Sequence, residues 1–172
     1  MAGAGPLPGL EEIFLGHKDR VFRAAYRITG NAGDAEDVLQ TVFLRLARQE
    51  TLSEIVNLPA YLHRSAVNAS LDLLRRSKES RTLSLDDEQN HVEAVSANTV
   101  QPSTEIRDWL RQALARLNPR SAEMFVLRFI EDYSNHEIAA MMKTSAAVVA
   151  VVLHRTRAQL KKDFKGIARG KR

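Results

Sequence analysis

The residue types that carry covalent or metal chemistry are scattered along this chain, and the scatter excludes most reactions. Histidines stand at positions 17, 63, 91, 136 and 154, with no two at the i, i+4 spacing that places a pair of ligands on one helix face. Cysteine is absent, which removes thiolate and disulfide chemistry. No serine sits between the glycines of a nucleophile elbow. The carboxylates gather at expected helix starts, where capping and the helix dipole explain them. These observations assign no catalytic residue, no metal ligand and no cofactor, and the expectation is a protein that is not an enzyme. The chemistry left is that of binding. From Arg155 onward the basic residues Arg155, Arg157, Lys161, Lys162, Lys165, Arg169, Lys171 and Arg172 face Asp163 alone, a terminus that attracts polyanions.

With 172 residues, the chain can hold one ordinary domain or two small ones. Its 44% hydrophobic and 27% charged residues predict a folded core. No apolar run approaches the roughly 20 residues of a spanning helix, so no membrane insertion is expected. The opening "MAGAGPLPGL" has neither the basic start nor the apolar centre of a signal peptide. A cytoplasmic location follows as the expectation, and the lack of cysteine fits a reducing compartment.

The elements that must position the basic residues read as helices throughout. Leu10, Ile13, Phe14, His17, Val21, Ala24, Ala25 and Ile28 recur at helical spacing. After "TGNAGDAED", with Asp34 as the expected N-cap, Val38, Leu39, Val42, Phe43 and Leu46 form a second stripe. Asn57 and Pro59 start a third helix whose apolar face is Leu62, Ala66, Ala69 and Leu73. Residues 77–104 lose periodicity and carry five acids against two bases, the composition of a flexible acidic linker. Ile106, Leu110, Ala113, Leu114 and Leu117 restart the pattern, and Asn118-Pro119 opens another helix. Ser134 and Glu137 form a capping box, "KTS" makes a turn, and Ser145 caps a last helix. The predicted architecture is all-α, with two small helical domains. Its boundaries are a disordered lead-in at 1–9, a bundle at 10–76, the linker at 77–104, a helix-turn-helix domain at 105–165 and a basic tail at 166–172.

In the last helix, Val149, Leu153, Thr156 and Leu160 are spaced by four, three and four, which makes them the core face. Val148, Ala150, Val151 and Val152 are then off that face, where a DNA reader carries polar side chains. Valine can meet a thymine methyl group but cannot form the bidentate base contacts worth about 1–3 kcal/mol each. In the DNA-free chain this apolar face is expected to pack on the first domain or on a partner.

Taken together, the two blocks resemble the extracytoplasmic-function (group 4) sigma factors of bacterial RNA polymerase, over about residues 10–164. "GNAGDAEDVLQTVFLRLAR" is similar to the polymerase-binding helix of the family's region 2, with Asp34, Ala35, Glu36, Asp37, Gln40 and Phe43 matching D-A-E-D-x-x-Q-x-x-F. "LPAYLHRSAVNASLDLLRRSK" resembles the next helix, and "ALARLNPRSAEMFVLRFIEDYSNHEIAAMM" follows the pattern of region 4. No separate region 3 is visible. The resemblance implies that the chain directs core polymerase, through its large subunits, to promoter DNA. Asp34, Glu36, Asp37, Gln40, Thr41 and Leu44 would face polymerase. Thr51, Ser53, Asn57, Tyr61, Arg64, Asn68, Arg75 and Arg76 would meet the minus-ten element. Ser134, His136, Lys143, Ser145, Val148, Val151, Val152, Arg155, Arg157 and Lys161 would lie at the minus-thirty-five element. An anti-sigma factor is a further expected partner, if this chain has one. Two departures stand out: Lys143 occupies a turn position where the family usually has Gly, and Val148–Val152 replace its T-V-K-S-R core. The alternative is a helix-turn-helix regulator whose first bundle serves dimerisation; a helical adaptor without nucleic acid comes third.

Overall fold

The computed structural model of the chain describes residues 9–48, 55–84 and 102–170. They form seven helices: α1 (Leu10–Thr29), α2 (Ala32–Ala47), α3 (Leu58–Ser84), α4 (Pro102–Arg116), α5 (Pro119–Phe129), α6 (Asn135–Met141) and α7 (Ala146–Gly170). No strand occurs among the described residues, in keeping with the all-α expectation.

The helix starts follow local chemistry, with one correction. Asp34 is not the N-cap of α2. Asn31 is: its backbone is extended and its side-chain oxygen accepts the N–H of Asp34. Asp34 instead sits in the first turn, where its charge still suits the dipole and its carboxylate accepts the Asn31 amide. Elsewhere the expected caps are present. Asn57 accepts the N–H of Ala60, Asn118 caps α5 ahead of Pro119, and Ser145 accepts the N–H of Val148. Ser134 and Glu137 satisfy each other's backbone N–H groups, the reciprocal capping box.

Helices α1, α2 and α3 enclose a first core built on Val21, Ala24, Ala25, Val38, Val42, Leu46, Leu62 and Ala66. A second core gathers Leu114, Met124, Leu127, Ile138, Val149 and Leu153 from α4–α7. It does not close by itself. Ile28 of α1 and Val67 and Leu71 of α3 belong to it as well. Helix α3 therefore buries two faces: the expected one with Leu62, Ala66 and Ala69, and an adjoining one that covers the second domain. Full burial of each valine, leucine or isoleucine among them contributes about 1.5–3 kcal/mol.

The boundaries also shift. Helix α3 runs past position 76 to Ser84, and α4 begins at Pro102 instead of 105. "SKESRTLS" contains neither Gly nor Pro, so once α3 is nucleated nothing in it stops propagation. The described ends of the expected linker are thus helical; its middle, 85–101, and the lead-in 1–8 lie outside the described residues. The basic tail is likewise part of α7 as far as Gly170.

Candidate functional site

The chain bends by 108° between α6 and α7, through four residues. That angle and turn length are those of a helix-turn-helix, in which the second helix is free to enter a major groove. Lys143 takes the turn at φ 50°, the left-handed region, without a glycine. On α7 the face assignment follows the four-three-four spacing. Val149, Leu153, Thr156 and Leu160 are buried, and the Thr156 hydroxyl donates to the Val152 carbonyl. Val151 is 49% exposed, Val148 and Ala150 are also exposed, and Val152 is half-buried against the second core. The exposed valines are not covered by the first domain, so the expected packing of that face on it does not occur. The first domain is met by α4, α5 and α6 instead.

Around this apolar strip the groups that can meet phosphates are solvent-facing. Arg155, Arg157 and Lys161 project from α7, His136 from α6 and Lys143 from the turn. Arg157 also lies 5.7 Å over the ring of Phe129. The hydroxyls of Ser134 and Ser145 are exposed but engaged in capping. The backbone N–H of Ser134 holds the Glu137 carboxyl below the usual carboxylate range.

Between α2 and α3 lies a cleft of about 550 Å³ lined by Asp34, Asp37, Gln40, Thr41 and Leu44 on one side and Leu73 and Arg76 on the other. Leu44 is 56% exposed there, a large apolar side chain open to solvent. Glu36 is exposed but does not line the cleft.

The residues expected at the minus-ten element divide into several environments. Thr51 and Ser53 lie outside the described residues. Asn57 caps α3, Tyr61 packs half-buried on the first core, and Arg75 donates to Asp72. Arg76 opens into the α2–α3 cleft. Arg64 and Asn68, one turn apart on α3, both donate to the same oxygen of Glu123 on α5. Arg64 also donates to the carbonyl of Met141, at the end of α6, at 3.0 Å.

Sequence reasoning missed the acidic side of this arrangement. Glu123 is a buried charged residue on a helix whose Ala122, Met124 and Val126 are also buried, and its partners on α3 compensate its charge. Glu131, beyond α5, accepts from Arg27 Nε at 2.8 Å, while His63 Nε2 lies 2.9 Å from its other oxygen. Burial alone would raise the Glu131 carboxyl; His63 and Arg27 outweigh it and hold the carboxyl below its ordinary value. The same hydrogen bond raises the Arg27 guanidinium. Arg20 donates to the hydroxyl of Tyr133, and Arg111 to the carbonyl of Ile28. One sequence signal was available: a lone carboxylate at 123 within an otherwise apolar helix face.

Comparison with known proteins bears on both halves. Residues 13–80 match the model of Sigma-70 region 2, and residues 107–160 that of Sigma-70, region 4. The ECF RNA polymerase sigma factor SigE of Mycolicibacterium smegmatis is 34% identical over 157 residues, which cover 90% of this chain and 61% of that relative. The RNA polymerase sigma-E factor of Streptomyces coelicolor is 30% identical over 164 residues, covering 93% of this chain and 88% of the relative. The sigma factor RpoE of Bartonella quintana, solved in complex with the anti-sigma factor NepR, superposes with a TM-score of 0.51 over 90% of this chain and 96% of that one. At 20% identity this last likeness concerns the fold alone.

Proposed function

The chain belongs to the extracytoplasmic-function sigma factors of RNA polymerase, and from that premise we propose how its residues divide the work of promoter recognition. Helix α2 docks on a large subunit of core polymerase through the cleft lined by Asp37, Gln40, Thr41 and Leu44. The loop before α3, together with Tyr61, Arg64, Asn68, Arg75 and Arg76 on that helix, receives the minus-ten element as it opens. The α6–α7 unit meets the minus-thirty-five element, with Arg155, Arg157, Lys161 and Lys143 on phosphates. Val148 and Val151 offer thymine-methyl contact in place of polar base reading. Sequence preference at this element therefore leans on methyl groups and DNA shape.

The observation that carries the polymerase assignment is Leu44: a leucine more than half exposed, beside Gln40 and Asp37, on a helix whose other face is fully buried. The regulator alternative, with the first bundle as a dimerisation unit, is not favoured, because sigma regions 2 and 4 match in their order along one chain. The work takes place where polymerase and DNA are, in the cytoplasm. An anti-sigma factor fits as a regulator of the whole.

Binding to core polymerase of Mycolicibacterium smegmatis tests the docking surface. The chain is expected to be retained by immobilised core, and Gln40→Ala with Leu44→Ala to lose most of that retention while keeping an unchanged helical melt. Undiminished retention of the double variant would refute the assignment of α2.

A further inference from the structure

The closed arrangement of the two domains uses the side chains that promoter opening would need. Arg64 and Asn68 are committed to Glu123, and Arg64 additionally ties down the end of α6 at Met141. A few residues away, Glu131 holds Arg27 of α1 and approaches His63 of α3. Both acids belong to the second domain, and all four partners belong to the first. A carboxylate on a guanidinium offers the same charge and the same acceptor geometry as a DNA phosphate. We propose that Glu123 and Glu131 form an intramolecular latch: Glu123 stands in for a phosphate on Arg64 and Asn68, Glu131 pins Arg27 and His63, and together they hold the free chain closed and withhold Arg64 and Asn68 from DNA until core polymerase draws the domains apart.

The apolar part of the interface seats Ile28, Val67 and Leu71 in the second core, so opening has to be driven by what binds the separated domains. Interfaces between domains of one chain are of the polar, separable kind unless they are large and apolar. The buried acids make the contact depend on charge pairing. Glu131 is 1% exposed at its side chain, so Glu131→Gln removes the attraction at nearly constant volume, whereas removing Arg27 leaves a buried charge with less compensation. If core binds the separated domains, the latch competes with it and lowers apparent affinity for core by the fraction of time it is closed.

The proposal rests on the sigma-factor reading of Arg64 and Asn68, and the test separates the two. The chain lacks cysteine, so Asp19→Cys on α1 and Gln159→Cys on α7, both exposed, allow a spin-label pair in the full chain. Wild type is expected to give one short, narrow distance distribution. Glu123→Gln with Glu131→Gln should broaden and lengthen it, with helicity retained. Arg27→Gln, at a half-exposed position, should do the same in part. The double variant should also bind Mycolicibacterium smegmatis core polymerase on the order of tenfold more tightly. Unchanged distances in both variants would overturn the latch whatever the function. Opened distances with unchanged affinity for core would overturn its inhibitory role while leaving the sigma-factor reading intact. Failure of the wild-type chain to bind core at all would instead overturn that reading, and the inhibitory role with it.

Discussion

Gly30 lies directly beneath the guanidinium of Arg111: a Cβ built on the glycine would fall 1.7 Å from Arg111 Nη2. Gly30 ends α1 at φ 78°, and Arg111 of α4 reaches over it to the carbonyl of Ile28. The two residues join the first domain to the second at a point where any side chain would both strain the backbone and displace the arginine. Gly30→Ala is therefore expected to cost about 1–2 kcal/mol from the left-handed backbone alone, a fall in melting temperature of roughly 2–8 °C. An unchanged melt would show that this joint contributes nothing.

Lys143 poses the opposite case. It holds a left-handed turn at φ 50° with an ordinary side chain. Lys143→Gly should raise stability by about 1 kcal/mol, while Lys143→Val should lower it. Chemical denaturation of the three proteins gives the order directly. A glycine variant no more stable than wild type would contradict the assignment of strain there.

Much of this fold could be read from residues because it rests on local signals. Ser134 with Glu137, Asn118 with Pro119, and the spacing of Val149, Leu153, Thr156 and Leu160 each act within one or two turns. Asn31 displaced Asp34 as a cap because both residue types suit the role, and only the position at which the backbone leaves the extended form decides between them. The joining of the domains was not legible. Glu123 and Arg64 are 59 residues apart, and nothing in either local sequence points to the other. The second face of α3, with Val67 and Leu71, was hidden for the same reason: an apolar residue reveals that it is buried, not what covers it.

The two sides of α7 should respond differently to substitution. Leu153→Ala removes a buried side chain from the second core and should cost about 2–5 kcal/mol. Val151→Lys places a charge at an exposed position, and is expected to leave stability within about 0.5 kcal/mol while raising affinity for DNA of any sequence. Val152→Lys, at a half-buried position against the core, should destabilise by about 1–3 kcal/mol. Thermal melts of the three variants, with DNA binding followed by anisotropy, check the set. A Val151→Lys protein that unfolds would place that valine in the core.

Acid should loosen the contact between domains. The Glu131 carboxyl titrates below its ordinary value of 4.5, because Arg27 and His63 favour its charged form against the effect of burial. Its folded value lies below its unfolded one, so its contribution is complete above about pH 4.5 and is lost as pH falls through the folded value. The spin-label distance in the free chain is expected to lengthen below about pH 4.5, and Glu131→Gln should flatten that dependence. A pH response identical in both proteins would remove Glu131 as its source.

The most direct measurement is transcription from a library of linear, randomised promoters by Mycolicibacterium smegmatis core polymerase with and without the chain. Sequencing of the transcripts and their upstream templates is expected to show starts that depend on both proteins. The enriched templates should share two dissimilar elements, near minus ten and minus thirty-five, the upstream one rich in thymine. Starts that do not depend on the chain, or enriched templates with two symmetric halves of one site, would contradict its assignment as a sigma factor that recognises two separate promoter elements.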